Sequence, residues 1–156
     1  PGDSLIVALK GRIDDDIKAA LLSGDRFVAD TLRGLKAVIL NEEVAKGVRD
    51  TGLDDEIIEQ LIAREVKKRH ESAQTYDDAN RTDLSEAERA EADILSRYLP
   101  EQASEAEIQA AVQDAIQALG VSGPAAMGQV IGAVKKKLGN TADGATVAKF
   151  VKDALA

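Results

Sequence analysis

The stretch Met127-Gly128-Gln129-Val130-Ile131-Gly132-Ala133-Val134-Lys135-Lys136-Lys137-Leu138 gathers the residues best placed to meet a ligand. Gly128 and Gly132 stand four apart, on one face of a helix, where another backbone can come close. Two glycines inside an otherwise good helix cost about 1 kcal/mol each relative to alanine. In a soluble protein that pattern usually means tight packing against a neighbouring helix; the other reading seats a ligand or an RNA backbone there. Lys135, Lys136 and Lys137 fall in the last turn, where cations meet the negative end of the helix dipole. Residues 121–156 add Lys149 and Lys152 and set five lysines against Asp143 and Asp153. In a chain of net charge −8 this is the only extended stretch with a clear positive excess. These five lysines, with Gly128 and Gly132, are the candidate phosphate-contact residues.

Other clusters read more plainly. Asp14, Asp15 and Asp16 point about 100° apart on a helix, so they cannot converge on one ion. They also lack the alternating oxygen ligands and the glycine of a calcium loop. Between positions 64 and 71, Glu65 meets Lys68 and Arg69, and Lys67 meets Glu71, at helical spacing. Arg64, Lys67 and Lys68 share a face that could touch phosphates, but a solvated, ion-paired face is the simpler reading. His70 is the single histidine and there is no cysteine, which excludes disulfides, thiolate nucleophiles and His- or Cys-built metal sites. No glycine-rich phosphate loop followed by Lys-Ser/Thr, no Gly-x-Ser-x-Gly elbow and no His-based metal pair occurs. Phe27, Tyr76, Tyr98 and Phe150 are the only aromatics, read mostly as core and too few for base stacking. An enzyme acting alone is not expected, and no site for a cofactor or metal is read.

The elements that would hold these residues are helices throughout, because apolar residues recur at helical spacing and nowhere with a sustained period of two. Leu5, Leu9, Ile13, Ile17 and Leu21, with Ile6 and Ala20, form the first stripe, stopped by Gly24. Val28, Leu32, Leu35 and Ile39 form the second, ended by Gly47, with Glu42 and Lys46 paired near its end. Residues 48–53 read as a loop. Asp54 is the expected N-cap of a third helix running to about Ala79, with Leu53 and Ile58 as a hydrophobic staple. After a break near Asn80–Thr82, Asp83 and Glu86 have capping-box spacing. The stripe Leu84, Ala87, Ala90, Ile94 and Tyr98 then stops at Leu99, before Pro100.

Pro100 marks a change of character. Residues 1–100 hold 15 basic and 22 acidic side chains, whereas residues 101–156 hold 5 and 6 and are rich in alanine. Ser104 and Glu107 form a capping box opening a helix on Ile108, Val112, Ala115 and Leu119, closed by Gly120. Shorter helices follow on Met127, Val130, Ile131, Val134 and Leu138, and on Val147, Val151 and Leu155 with Phe150 alongside. The expected fold is all-α, an N-terminal domain over residues 1–99 built on a pair or hairpin of long helices, and a three-helix domain over residues 104–156. No apolar stretch is long enough to span a bilayer, so no membrane partner is read. Composition, with no signal-peptide pattern at the start, sets the expected location as cytoplasmic.

Taken in order, Glu65-Val66-Lys67-Lys68-Arg69 with Ser72, Tyr98-Leu99-Pro100, Met127-Gly128-x-x-x-Gly132 and Ala142-Asp143-Gly144 resemble the GatB/YqeY family, specifically a stand-alone YqeY-like protein. The resemblance covers essentially the whole chain. It implies a helical N-terminal part and a small three-helix tail, the module that also ends the GatB subunit of glutamine-dependent tRNA amidotransferase, where it is thought to help hold tRNA. It further implies a non-catalytic tRNA- or RNA-binding accessory role in translation. The tail motif Gly128, Gly132, Lys135, Lys136 and Asp143-Gly144 would face the RNA. Where relatives often carry lysines around the following glycine, this chain has Gly139-Asn140-Thr141. The alternative is a protein-docking module for an amidotransferase subunit or an aminoacyl-tRNA synthetase. A family label such as carbon-nitrogen ligase with glutamine as amido donor would then be inherited from the family.

Overall fold

The computed structural model describes residues 8–156. Among these the chain forms seven α-helices and no strand, the all-α class that the periodicity predicts. It divides into two compact units, one ending at Leu99 and the other beginning at Pro100.

The first unit contains α1 (Leu9–Ser23), α2 (Arg26–Ala45), α3 (Asp55–Asp78) and α4 (Thr82–Ser96), arranged as two hairpins rather than one, α1 on α2 and α3 on α4. Leu9, Ile13 and Ile17 meet Leu32, Leu35 and Ile39, and these pack with Ile58, Ile62, Leu95 and Tyr98 in one core. Burying each of these aliphatic side chains contributes roughly 2 kcal/mol. The expected start of the first stripe, Leu5 and Ile6, lies outside the described residues. Its other end needs correction, because Leu21 is 45% exposed and Ala20 faces the core instead. An i,i+4 row rotates about 40° per step on a 3.6-residue helix, so by the third step Leu21 has turned off the buried face.

Gly24 ends α1 at φ 79°, its N–H reaching the carbonyls of Ala20 and Leu21. Asp25 then caps α2 by accepting the Val28 N–H at 3.2 Å. Asp54 stands at the N-cap of α3 but makes no side-chain cap bond. Its neighbour Asp55 instead accepts the Leu9 N–H at 3.2 Å, satisfying a first-turn donor of α1. The expected box on α4 does not form, because the helix begins at Thr82 and the Asp83 carboxylate is taken by Arg81 at 3.3 Å. Ala90 is exposed, and Ser85, Ala92 and Leu95 take inner positions on α4 beside Ile94 and Tyr98.

The second unit contains α5 (Glu105–Leu119), α6 (Met127–Leu138) and α7 (Gly144–Leu155). The Ser104 hydroxyl accepts the Glu107 N–H at 3.1 Å while the Glu107 carboxylate accepts the Ser104 N–H at 3.3 Å. Gly120, at φ 64°, closes α5. Ile108, Val112, Val130, Val134, Val147, Val151 and Leu155 form the core. Leu119, expected on the α5 stripe, is 39% exposed, and Ile116 and Val121 pack there instead. Asp143 caps α7 by accepting the Thr146 N–H at 3.1 Å.

Candidate nucleic-acid interface

Val130 and Val134 turn inward from α6 and are completely buried. At 100° per residue, Gly128, Gly132, Lys135 and Lys136 then fall together on the opposite, solvent-facing side. All four are exposed. A Cβ added to Gly128 or Gly132 would meet no atom within 4 Å. The expectation of tight helix packing at these glycines therefore fails. The two side-chain-free positions leave a bare strip of backbone, continued by two lysines toward the C-terminal end of the helix.

The five candidate lysines are not equivalent. Lys135 reaches from α6 to the start of α7, its Nζ lying 3.3 Å from where a Cβ on Gly144 would stand. Gly144 thus makes room for it. Lys137 turns toward α5 and pairs with Asp114 at 3.6 Å, with both side chains largely exposed. Lys149 and Lys152 are exposed on α7, on the side away from Val147 and Val151. Among the described residues, Lys135, Lys136, Lys149 and Lys152 hold no ion pair, whereas Lys137 is partly neutralised. Four of the six acids of this unit are separated from the lysines along the chain, Asp143 and Asp153 being the exceptions. Glu101, Glu105, Glu107 and Asp114 precede Gly120 with no basic residue among them, and every lysine follows it.

In the first unit the aspartate cluster and the Glu65–Arg69 pair are absorbed by the fold, whereas Arg64, Lys67 and Lys68 stay exposed. Lys36 pairs with Asp14 at 2.6 Å, the Tyr98 hydroxyl donates to Asp16, and Asp15 stays exposed, so the three aspartates disperse as their angular spacing requires. Burial and the hydrogen bond and charge of Asp16 together raise the Tyr98 pKa above its ordinary value. Arg69 pairs with Glu65 at 2.9 Å and with Glu91 at 3.0 Å. Burial acts to lower the Arg69 pKa, but hydrogen bonds and charge from Glu65 and Glu91 outweigh it and hold the guanidinium above its usual value. His70 is exposed. Of the aromatics read as core, Tyr98 is buried, whereas Phe27 is 42% exposed at the start of α2. No group of three or more metal-ligating side chains converges among the described residues.

The sequence reading missed Glu43, which is fully buried on α2. Its signal was present, since Leu35, Ile39 and Glu43 are spaced by four and the apolar row continues into an acid. Lys10 answers that charge from α1, and Arg49 approaches it at 4.0 Å.

A family model described as "Yqey-like protein" matches residues 10–155. The chain belongs to the YqeY family. Among curated proteins it is 34% identical over 111 residues to "Altered inheritance of mitochondria protein 41, mitochondrial" of Lachancea thermotolerans, covering 70% of this chain and 58% of that one. The protein of the same name from Pyrenophora tritici-repentis is 30% identical over 146 residues, covering 91% of this chain and 78% of its own length. A third, from Clavispora lusitaniae, is 29% identical over 93 residues, covering 59% and 52%. This YqeY-family chain thus spans little more than half of two of these relatives. The expectation of a cytoplasmic location is overturned by their names, all of which say mitochondrial. Composition could not have shown this, because net charge and cysteine count report solubility and redox chemistry rather than a cellular address.

Proposed function

We propose that this YqeY-family chain is a non-catalytic RNA-binding accessory module, with tRNA as its RNA, and that α6 and α7 supply the contact surface. One observation supports this above others. Gly128 and Gly132 are exposed with open space above them, on the same face as the unpaired Lys135 and Lys136. A phosphodiester backbone lies closest to a helix where side chains are missing, and ammonium groups at the end of that strip neutralise its charge. Lys149 and Lys152 extend the positive surface on α7. Recognition would be of shape and phosphates rather than bases, since the tail holds no arginine and Phe150 as its one aromatic. The reading does not depend on compartment and is compatible with the mitochondrial location in the relatives' names.

Fluorescence anisotropy with labelled bulk tRNA across a salt series tests it. Binding that weakens steeply with salt and falls in the Lys135→Ala/Lys136→Ala/Lys137→Ala variant is expected. Absence of binding at low salt would remove the RNA reading and leave docking to an amidotransferase or synthetase subunit as the role to test. Under that alternative, Gly128→Leu abolishes association with the protein partner while the lysine variant does not.

A further inference from the structure

A third helical glycine, Gly34, presents the same anomaly in the first unit. It lies in the interior of α2, is exposed, and an added Cβ there would meet no atom within 4 Å. Neither packing nor a left-handed backbone calls for glycine, which costs about 1 kcal/mol relative to alanine at such a position. What Gly34 does is keep a cleft open. Phe27, Asp30, Thr31 and Gly34 of α2 line it on one side, with Arg69 of α3 and Glu91 of α4 on the other, around about 280 Å³.

The chemistry of that lining selects its occupant. Arg69 is already held by Glu65 and Glu91, so it offers little to an incoming anion. Asp30 adds a second lining carboxylate, and among the described residues its only ion pair is a long one, 3.9 Å to Arg33, with both side chains more than half exposed. Of the charged side chains that line it, two are carboxylates and one is a guanidinium, which leaves the cleft negative, and a cation is what it favours. The exposed face of Phe27 adds a surface on which a planar cation can stack. A guanidinium satisfies both demands, because it pairs with carboxylates in a fixed fork and stacks on aromatic faces, whereas an ammonium does neither as well. We propose that the cleft around Gly34 receives an arginine side chain of a protein partner. The inference rests on the first unit alone and is independent of the RNA reading.

The test is a nuclear magnetic resonance titration of the ¹⁵N-labelled full chain with a blocked Ala-Ala-Arg-Ala-Ala peptide. The same peptide carrying citrulline, equal in shape but uncharged, is the comparison. Saturable shifts of the Thr31 and Gly34 amides and the Arg69 Nε–H are expected with arginine and not with citrulline. Gly34→Leu fills the cleft without changing the charge of the chain, and should abolish those shifts while leaving the melting temperature undiminished. Phe27→Ala should weaken the arginine peptide about tenfold, the size of effect that one desolvated stacked contact can carry. Equal shifts with citrulline would overturn the proposal. So would no shifts at all, arginine binding that survives Gly34→Leu, or an affinity unaffected by Phe27→Ala.

Discussion

Lys10 donates to both carboxylate oxygens of Glu43, at 3.1 and 3.0 Å, joining α1 to α2 through a charge that has no exposed surface. Removing one partner of a buried pair strands the other, which costs more than the pair itself contributes. The Lys10 side chain is one-third exposed and Arg49 remains nearby, which softens the loss. Lys10→Met should therefore destabilise the chain by about 2 kcal/mol, below the range for a fully buried pair. Replacing both as Lys10→Met/Glu43→Leu should recover most of it. Urea denaturation of the two variants checks this, and a double variant no more stable than the single would contradict it.

Tyr98 gives a pH dependence with a definite sign. Its pKa is raised in the folded state by burial and by its bond to Asp16, so the folded chain keeps the proton after an unfolded tyrosine would release it. Stability from this group is complete at neutral pH and declines as pH rises above the ordinary tyrosine value of about 10. The melting temperature of wild type should fall more steeply than that of Tyr98→Phe in that alkaline window. At neutral pH, Tyr98→Phe should itself cost about 1 kcal/mol for the lost hydrogen bond. Parallel alkaline slopes would mean that Tyr98 titrates normally.

Gly132→Ala separates folding from contact. With nothing near the new methyl group and a helical backbone, it should stabilise the second unit by roughly 0.5–1 kcal/mol. If the bare strip serves RNA, the same variant should bind tRNA more weakly despite being more stable. Calorimetry and anisotropy on one preparation give both signs. Stabilisation without any loss of binding would detach Gly132 from the interface.

The lysines should divide by their partners. Each phosphate contact contributes about 0.9 to the salt dependence of binding to a duplex. Lys135→Ala/Lys136→Ala should thus reduce the slope of log affinity against log salt by about 2. Lys137→Ala should change it little, since that ammonium already faces Asp114 at 3.6 Å. Equal effects would show that Lys137 leaves Asp114 on binding.

Ser104→Ala removes one half of the capping box and should lower the stability of the second unit by about 1 kcal/mol, readable by thermal denaturation. Ser104→Asp should retain most of it.

These outcomes follow how information is distributed along the chain. Features set within one helical turn were legible in the sequence: the left-handed stops at Gly24 and Gly120, the Ser104–Glu107 box, and rows such as Leu32, Leu35 and Ile39. Features requiring a partner far away were not. Asp55 serves a donor 46 residues distant, and Glu43 pairs with a lysine 33 residues distant. No local pattern distinguishes those acids from solvated ones, although the place of Glu43 on an apolar row was a usable warning. The Asp83–Glu86 spacing misled for the converse reason. Its pattern was right, but Arg81 competed for the carboxylate and the helix started two residues earlier. For the candidate interface, sequence named the glycines and lysines, whereas their exposure, and the diversion of Lys137 to Asp114, required coordinates.

The separation of charge within the second unit has a kinetic consequence. With four of its six acids before Gly120 and all five lysines after, α5 is net negative and α6 and α7 are net positive, so the unit is an electric dipole as well as a folded core. A polyanion approaching through dilute salt exerts a torque on such a body, turning the lysine end forward before any atoms touch. Orientation of this kind raises the productive fraction of encounters without tightening the final complex. Added salt should therefore slow arrival more than it hastens departure.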